Sequence, residues 1–446
     1  MSAGIASPAM EPMDVAVVGG GILGVSVAYW LAARYSGRFV VLERERRVAE
    51  HTSRRNTGVV HRPFYLHPKK RRVFARAAQV SYGLWKRYAA EKRLPWAEVG
   101  TLEVALDDSQ LGVLDTYLDW ALENGMAPGE VEVLDGREAR RREPNVRCAG
   151  AIHSKTDTCV DYRAFTEALK ADAEGLGVQF LFGKNVSEVI TTGGDLEVWL
   201  RDAAEPLQAR LLVNCAGGDA VDVAHSAGVG LEYTDIHFRG EYWVVDERAK
   251  DLASRNLYSV PRHKDMPFLD PHWVVRANGG REIGPNAVPV PRSYQYDGFH
   301  VMDWFGKLLE PPVENKVRLL INPEFVNLSA AEMLSSLSKG EMLGRVQRFL
   351  PALKEEHLVA PGTAGVRSQV IDRTGALARE AIEVPGPYSY HILNYNSPGA
   401  TGAPAYAAYL VDRLAARGDL DHVRKTPKPQ RIWDWEPVSK AMGLAA

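Results

Sequence analysis

DVAVVGGGILGVSVAYWLAARYSGRFVVLE, residues 14–43, reads as strand, glycine turn, helix and second strand. A β-branched run at Asp14 to Val18 meets Gly19, Gly21 and Gly24 in GxGxxG spacing, and VSVAYWLAARY continues with helical periodicity. Gly19 suits a tight turn, Gly21 lets the backbone approach a pyrophosphate, and Gly24 allows the helix to pack closely on the strand. Ile22 and Leu23 open a helix whose N-terminus attracts phosphate charge. The second strand, FVVLE, ends at Glu43, at the distance where a carboxylate meets ribose hydroxyls, with Arg44 beside it. The arrangement predicts a dinucleotide site, and an acid at position 43 disfavours a 2′-phosphate, leaving FAD or NAD.

The rest of the composition narrows the class. At 446 residues the chain exceeds what one small core organises, so two domains or one large composite are expected. A net charge of -2 and the lack of a long basic run argue against nucleic acid as a partner. Cys148, Cys159 and Cys215 stand far apart, which points to neither a disulfide framework nor a metal site. With no spanning segment in the sequence, the expectation is a cytoplasmic protein, with peripheral contact at the inner membrane face and homo-oligomerisation both left open. The opening residues, MSAGIASPAMEPM, read as a short disordered extension.

Two later segments decide between FAD and NAD. RLLVNCAGG, residues 210–218, is a strand running into a small-residue turn at Ala216 and Gly217. HILNYNSPGATGA, residues 391–403, is a turn followed by the helical AYAAYLVDRL. Pieces spread this widely resemble the D-amino-acid oxidase superfamily, whose FAD domain is assembled from separated segments. FRGEY at 238–242, GPNAV at 284–288, AGVRSQ at 364–369 and HTSRRNTGVVH at 51–61 narrow the resemblance to the L-2-hydroxyglutarate dehydrogenase (oxidase) family, in order from about residue 14 to residue 412.

The resemblance implies roles residue by residue. Thr52, Ser53, Asn56, Thr57 and Gly58 would touch the pyrophosphate and flavin ring. Val186 would lie beside the adenine, and Gly365, Ser397, Pro398, Gly399, Ala400 and Thr401 would face the ring. His61 would be the base that takes the hydroxyl proton while hydride leaves C2 for flavin N5, the alternative being a histidine merely hydrogen-bonded beside the cofactor. Arg367 would grip a carboxylate with two parallel hydrogen bonds and also border the flavin, whereas its bland reading is a surface ion pair. Tyr242, Glu241 and Asn286 complete the expected substrate set, with Tyr242 directed to a distal carboxylate. The chain departs from the family in Arg54, where a glycine is usual, and in Arg62, Pro63 and Phe64 after the histidine. These two extra cations would bind another anionic group of the substrate or the FAD phosphates.

The expected fold class is α/β, a Rossmann-like FAD-binding domain built from discontinuous segments plus an α+β cap with a mostly antiparallel sheet. The FAD domain takes residues 14–85, 151–230 and 356–424; the substrate domain takes 86–150 and 231–355; a tail follows at 425–446. Residues 68–95 read as a helix of the cap. Trp433 and Trp435 in the tail are expected to clamp onto the body, another subunit or a membrane face. The expected activity is oxidation of a small anionic 2-hydroxy acid, L-2-hydroxyglutarate first, by non-covalently bound FAD, with oxygen, quinone or a dye-type carrier as acceptor. Glycerol 3-phosphate or an amino acid is the sister substrate, and a flavin-carrying subunit without turnover is the alternative of another class.

Overall fold

A computed structural model of the chain describes residues 11–262, 270–298, 300–426 and 432–444; the expected N-terminal extension lies mostly outside them. A six-stranded sheet is ordered Gln179–Phe182, Phe39–Glu43, Val15–Val18, Leu212–Asn214, Ser389–Leu393 and Ile382–Gly386. The first five strands run parallel and the last is antiparallel. Val17 sits opposite both Val41 and Val213, and Val213 opposite Tyr390, so strands far apart in sequence share one ladder. The central strands are buried residue by residue and mostly apolar because both faces of the sheet are covered there, while the edge strands Gln179–Phe182 and Ile382–Gly386 are partly exposed. The expected Rossmann-like domain of discontinuous segments is what forms.

The helix Ile22–Arg34 is buried along its whole length. It packs against Tyr162–Gly175 and Gly399–Ala416, and a helix apolar all round has no other place than a core. The helix Arg72–Lys92, read from sequence as part of the cap, also belongs here. Its small residues Ala77 and Ala78 approach Gly402 of Gly399–Ala416, Ser81 Oγ accepts from Ala405 N–H at 3.1 Å, and Trp85 Nε1 donates to Thr401 O at 3.0 Å. Periodicity shows that a helix has an apolar face; it does not say which neighbour covers it. The tail question resolves similarly. Trp433 is 0% exposed, ringed by Tyr29, Trp30, Trp85 and Tyr88, and Trp435 meets Trp30 edge-on, so both clamp onto the body.

A nine-stranded sheet forms the second layer. Its long strand Thr234–Val245 pairs antiparallel with Leu358–Ile371, which sets Phe238 opposite Arg367 and Gly240 opposite Gly365. Asn256–Ser259 and His272–Val275 pair with Leu257 opposite Trp273, and only Asn256–Ser259 with Thr101–Ala105 is parallel among its described pairings. Its core is separate from that of the first sheet, with Leu102, Leu257, Trp273, Ile283 and Phe349 at its centre. No described helix is long and apolar enough to cross a membrane.

Candidate active site

A cavity of about 710 Å³ runs from the carboxyl ends of the parallel strands to the face of the second sheet. Strand ends of a doubly wound sheet are where ligands settle, because the loops there can present backbone N–H groups to an anion. Gly19 has φ 101°, and a Cβ on it would come within 2.5 Å of Cys215 O. A Cβ on Gly24 would sit 2.0 Å from Gly19 O, so Gly24 serves helix–strand packing and is not on the cavity wall. Gly21, Ile22 and Leu23 line the wall at the helix N-terminus, and Ile22 N–H donates to Ser53 Oγ at 3.0 Å. Glu43 accepts from Gly20 N–H at 2.7 Å and Glu45 N–H at 2.8 Å, holding its carboxylate at the end of its strand. Helix N-terminus, close-packed glycines and fixed acid fit a dinucleotide with its pyrophosphate on the helix.

Most sequence-predicted residues converge on this cavity. Arg44, Thr52, Ser53, Asn56, Thr57, Val186, Ala216, Gly217, Gly365, Ser397, Pro398, Gly399, Ala400 and Thr401 all line it. Gly58 does not; it turns the chain at φ 73°, its N–H donating to Asn56 Oδ1 at 2.8 Å. The Asn56 amide is otherwise spent on the carbonyls of Thr52 and Ser53, and Thr52 Oγ1 donates to Val366 O. These side chains build the loop before they meet any ligand. Lys184, Asn185 and Arg201 line the far end beside Val186 and carry no motif in the sequence.

At the other end stands His61. Val59–Val60 pairs antiparallel with Thr158–Cys159, so the next residues, His61 and Asp157, come side by side. His61 Nδ1 lies 3.1 Å from Asp157 Oδ2, and His61 N–H donates to Thr401 Oγ1 at 3.0 Å. Asp157 is 0% exposed and also accepts from Thr101 Oγ1, Ser154 Oγ and Arg62 N–H. With Nδ1–H donating to Asp157, His61 Nε2 keeps its lone pair for a ligand. Asp157 was missed by sequence reading, since an acid in the turn SKTDTC has no signature until strand pairing sets it against His61.

Arg367, Tyr242 and Asn286 reach the same cavity. Burial pulls the Arg367 pKa below its ordinary value, with Tyr242 opposing, and burial pushes the Tyr242 phenol up, with Arg276 opposing. Arg367 is only part-buried and stands on the cavity wall. Glu241 is not on the wall. Its carboxylate accepts from Asn286 Nδ2 at 2.8 Å, Ser336 Oγ at 2.7 Å and Arg239 Nε at 2.9 Å, and its N–H donates to Asn286 Oδ1. Strand alternation sends Gly240 and Tyr242 to one face and Glu241 to the other. Asn286 is thereby held rigidly, with its amide engaged at both ends.

The two departures from the family pattern also find places. Arg62, 2% exposed, is bound to Glu130 at 2.8 and 3.0 Å, to Thr156 and Gln79, and lies over the Tyr82 ring. Arg54 pairs with Glu50 at 3.3 Å. Neither is on the cavity wall, so neither adds an anion contact there. Tyr258 and His272, unmarked by sequence reading, do line it. The ladder sets them opposite each other with rings stacked 4.1 Å apart, and Tyr258 meets His61 edge-on. Among the described residues their Oη and Nε2 have no hydrogen-bond partner. His272 Nδ1 donates to Asp270 O, and burial pushes its pKa down to about 3, so the ring is neutral at physiological pH.

The family model for the FAD dependent oxidoreductases matches residues 14–413, and the chain belongs to that family. It is an FAD-dependent oxidoreductase and its cofactor is FAD. Within the family it is similar to the mitochondrial L-2-hydroxyglutarate dehydrogenase of Caenorhabditis elegans, 28% identical over 418 residues, covering 91% of this chain and 94% of that one. It is also similar to the L-2-hydroxyglutarate dehydrogenase of Indibacter alkaliphilus, at 29% over 395 residues, covering 87% and 96%. Among solved structures, FAD-bound L-alpha-glycerophosphate oxidase from Mycoplasma pneumoniae superposes with TM-score 0.69 at 21% identity, covering 94% of this chain and 97% of that one. L-proline dehydrogenase from P. horikoshii gives 0.65 at 18%, covering 98% and 100%. These likenesses share the fold.

Proposed function

We propose that the protein oxidises a small anionic 2-hydroxy acid, L-2-hydroxyglutarate foremost, to the corresponding 2-oxo acid. The observation that carries the reading is the His61–Asp157 hydrogen bond in a cavity whose wall also carries Arg367. The names of the similar dehydrogenases support the choice of substrate.

Arg367 holds the carboxylate next to the reacting carbon, since a guanidinium keeps its charge when buried and binds both oxygens at once. His61 Nε2 receives the hydroxyl proton, and Asp157 fixes the tautomer and stabilises the imidazolium that results. Bound FAD supplies the two-electron acceptor for the hydride of the same carbon. The Tyr242 hydroxyl hydrogen-bonds the distal carboxylate, and Asn286, held by Glu241, keeps the wall in place.

The test is anaerobic loss of the visible flavin band with L- and D-2-hydroxyglutarate, malate, glycerol 3-phosphate, proline and common amino acids. Bleaching by L-2-hydroxyglutarate in preference to the rest is the expected result. Preference for glycerol 3-phosphate or an amine overturns the substrate, and failure of the whole panel moves the protein to the class of flavin carriers.

A further inference from the structure

Residues 291–297, PRSYQYD, leave the second sheet directly after its strand Val288–Val290 and cross to the cofactor side. There the segment is fastened at both edges of the groove that holds the glycine loop. On one edge, Ser293 Oγ donates to Asp219, whose other oxygen pairs with Arg44. Ser293 also packs so closely on Gly218 that a Cβ there would meet it at 2.5 Å. On the other edge, Tyr296 Oη is 2.5 Å from His51 Nδ1, with the two rings stacked, and the Arg55 guanidinium lies 3.8 Å over the Tyr296 ring. Between these points the Arg44 guanidinium lies 4.6 Å from the Tyr294 ring.

The fastening residues are not scattered. Arg44, His51 and Arg55 follow the strand that ends at Glu43, whereas Gly218 and Asp219 follow the strand Leu212–Asn214. Those strands flank Val15–Val18, whose glycine loop lies between them. Arg44, His51, Arg55, Gly218, Asp219 and Tyr294 all line the same cavity as Gly19 and Gly21. The segment thus bridges the groove over its pyrophosphate-binding half. It is anchored behind by Arg239 Nη1 on Gly298 O at 2.9 Å and by Arg292 on Asp303 at 2.7 Å. Ser293 and Gln295 are buried, while Tyr294, on the cavity wall beside Arg44, is 45% exposed.

We infer that residues 291–297 are a retention strap for the ADP half of FAD, with Ser293, Tyr294 and Tyr296 as positioning residues. Cofactor in the groove can leave only after the contacts to Asp219 and His51 break on opposite edges. Because the strap continues the substrate-side sheet, it also ties that sheet to the cofactor.

The experiment measures FAD release from the purified holoprotein, by the rise of free-flavin fluorescence after dilution, for wild type, Tyr294→Ala/Tyr296→Ala and the milder Ser293→Ala/Tyr296→Phe. The first variant is expected to release FAD at least about tenfold faster, and the second about threefold or more, since each loses contacts that must otherwise break before release. The shape of the bound-flavin band stays unchanged, because the altered residues lie at the ADP half. The melting temperature of the FAD-free protein stays unchanged too, which a merely structural role for the strap would not allow. The proposal is overturned if release stays within about twofold of wild type in the milder variant, or if any faster release is matched by an equal loss of stability in the FAD-free protein. Should the double alanine variant fail to fold, the Ser293→Ala/Tyr296→Phe rates decide alone.

Discussion

Asp157→Asn isolates the part of the site that sequence did not show. Asp157 Oδ1 accepts from Ser154 Oγ and from the Arg62 backbone N–H, which has no freedom to turn away, so the oxygen of an asparagine stays on that side. Its Nδ2 then faces His61 and Thr101 in place of Oδ2. The Thr101 hydroxyl can rotate to accept from it. The imidazole must also accept, at Nδ1, and so carries its proton on Nε2, where the substrate's proton was to go. General-base assistance is worth about 10²–10⁴ in rate, so the variant should reduce its flavin more slowly by that factor, about 2.7–5.4 kcal/mol. Stopped-flow anaerobic reduction reads this directly, with FAD content showing that the site is intact. His61→Ala should lose a similar amount, and the double variant little more than either alone, because the pair works as a unit. Reduction of Asp157→Asn within about threefold of wild type, or losses that multiply in the double variant, would refute the role of the pair.

Three further outcomes are expected. Arg367→Ala should weaken binding of 2-oxoglutarate, read from the shift of the flavin band on titration, by about 2–5 kcal/mol; Arg367→Lys should not restore it, since an ammonium lacks the two-pronged geometry. Burial, reinforced by the charge of Asp157, pushes the Glu103 pKa from 4.5 up to about 8, so the folded state binds the extra proton and stability falls as pH rises between those values; Glu103→Gln should flatten that part of a melting-temperature profile, and an unchanged slope would remove Glu103 from the account. Trp433→Ala should cost about 3–5 kcal/mol on denaturant unfolding, the range for emptying a fully buried aromatic site; a cost under about 1 kcal/mol would mean the tail does not hold the body together.

Sequence by itself determined the cofactor half of the protein. Gly19, Gly21, Gly24 and Glu43 act within one strand–turn–helix–strand unit, so their roles are local and their spacing carries the message. Strands at 212–214 and 389–393 were legible for the same reason, as apolar runs entering small-residue turns. Only the tertiary structure decided what crosses the chain. The pairing of Val59–Val60 with Thr158–Cys159 gives His61 its carboxylate, and the ladder from Leu257 to Trp273 brings Tyr258 onto His272. Strand alternation turns Glu241 away from the cavity that Tyr242 enters, and burial against Glu130 and Tyr82 removes Arg62 from it. Such facts depend on register and on which face is covered. A one-residue shift reverses them while leaving the composition and motifs of each segment as they were.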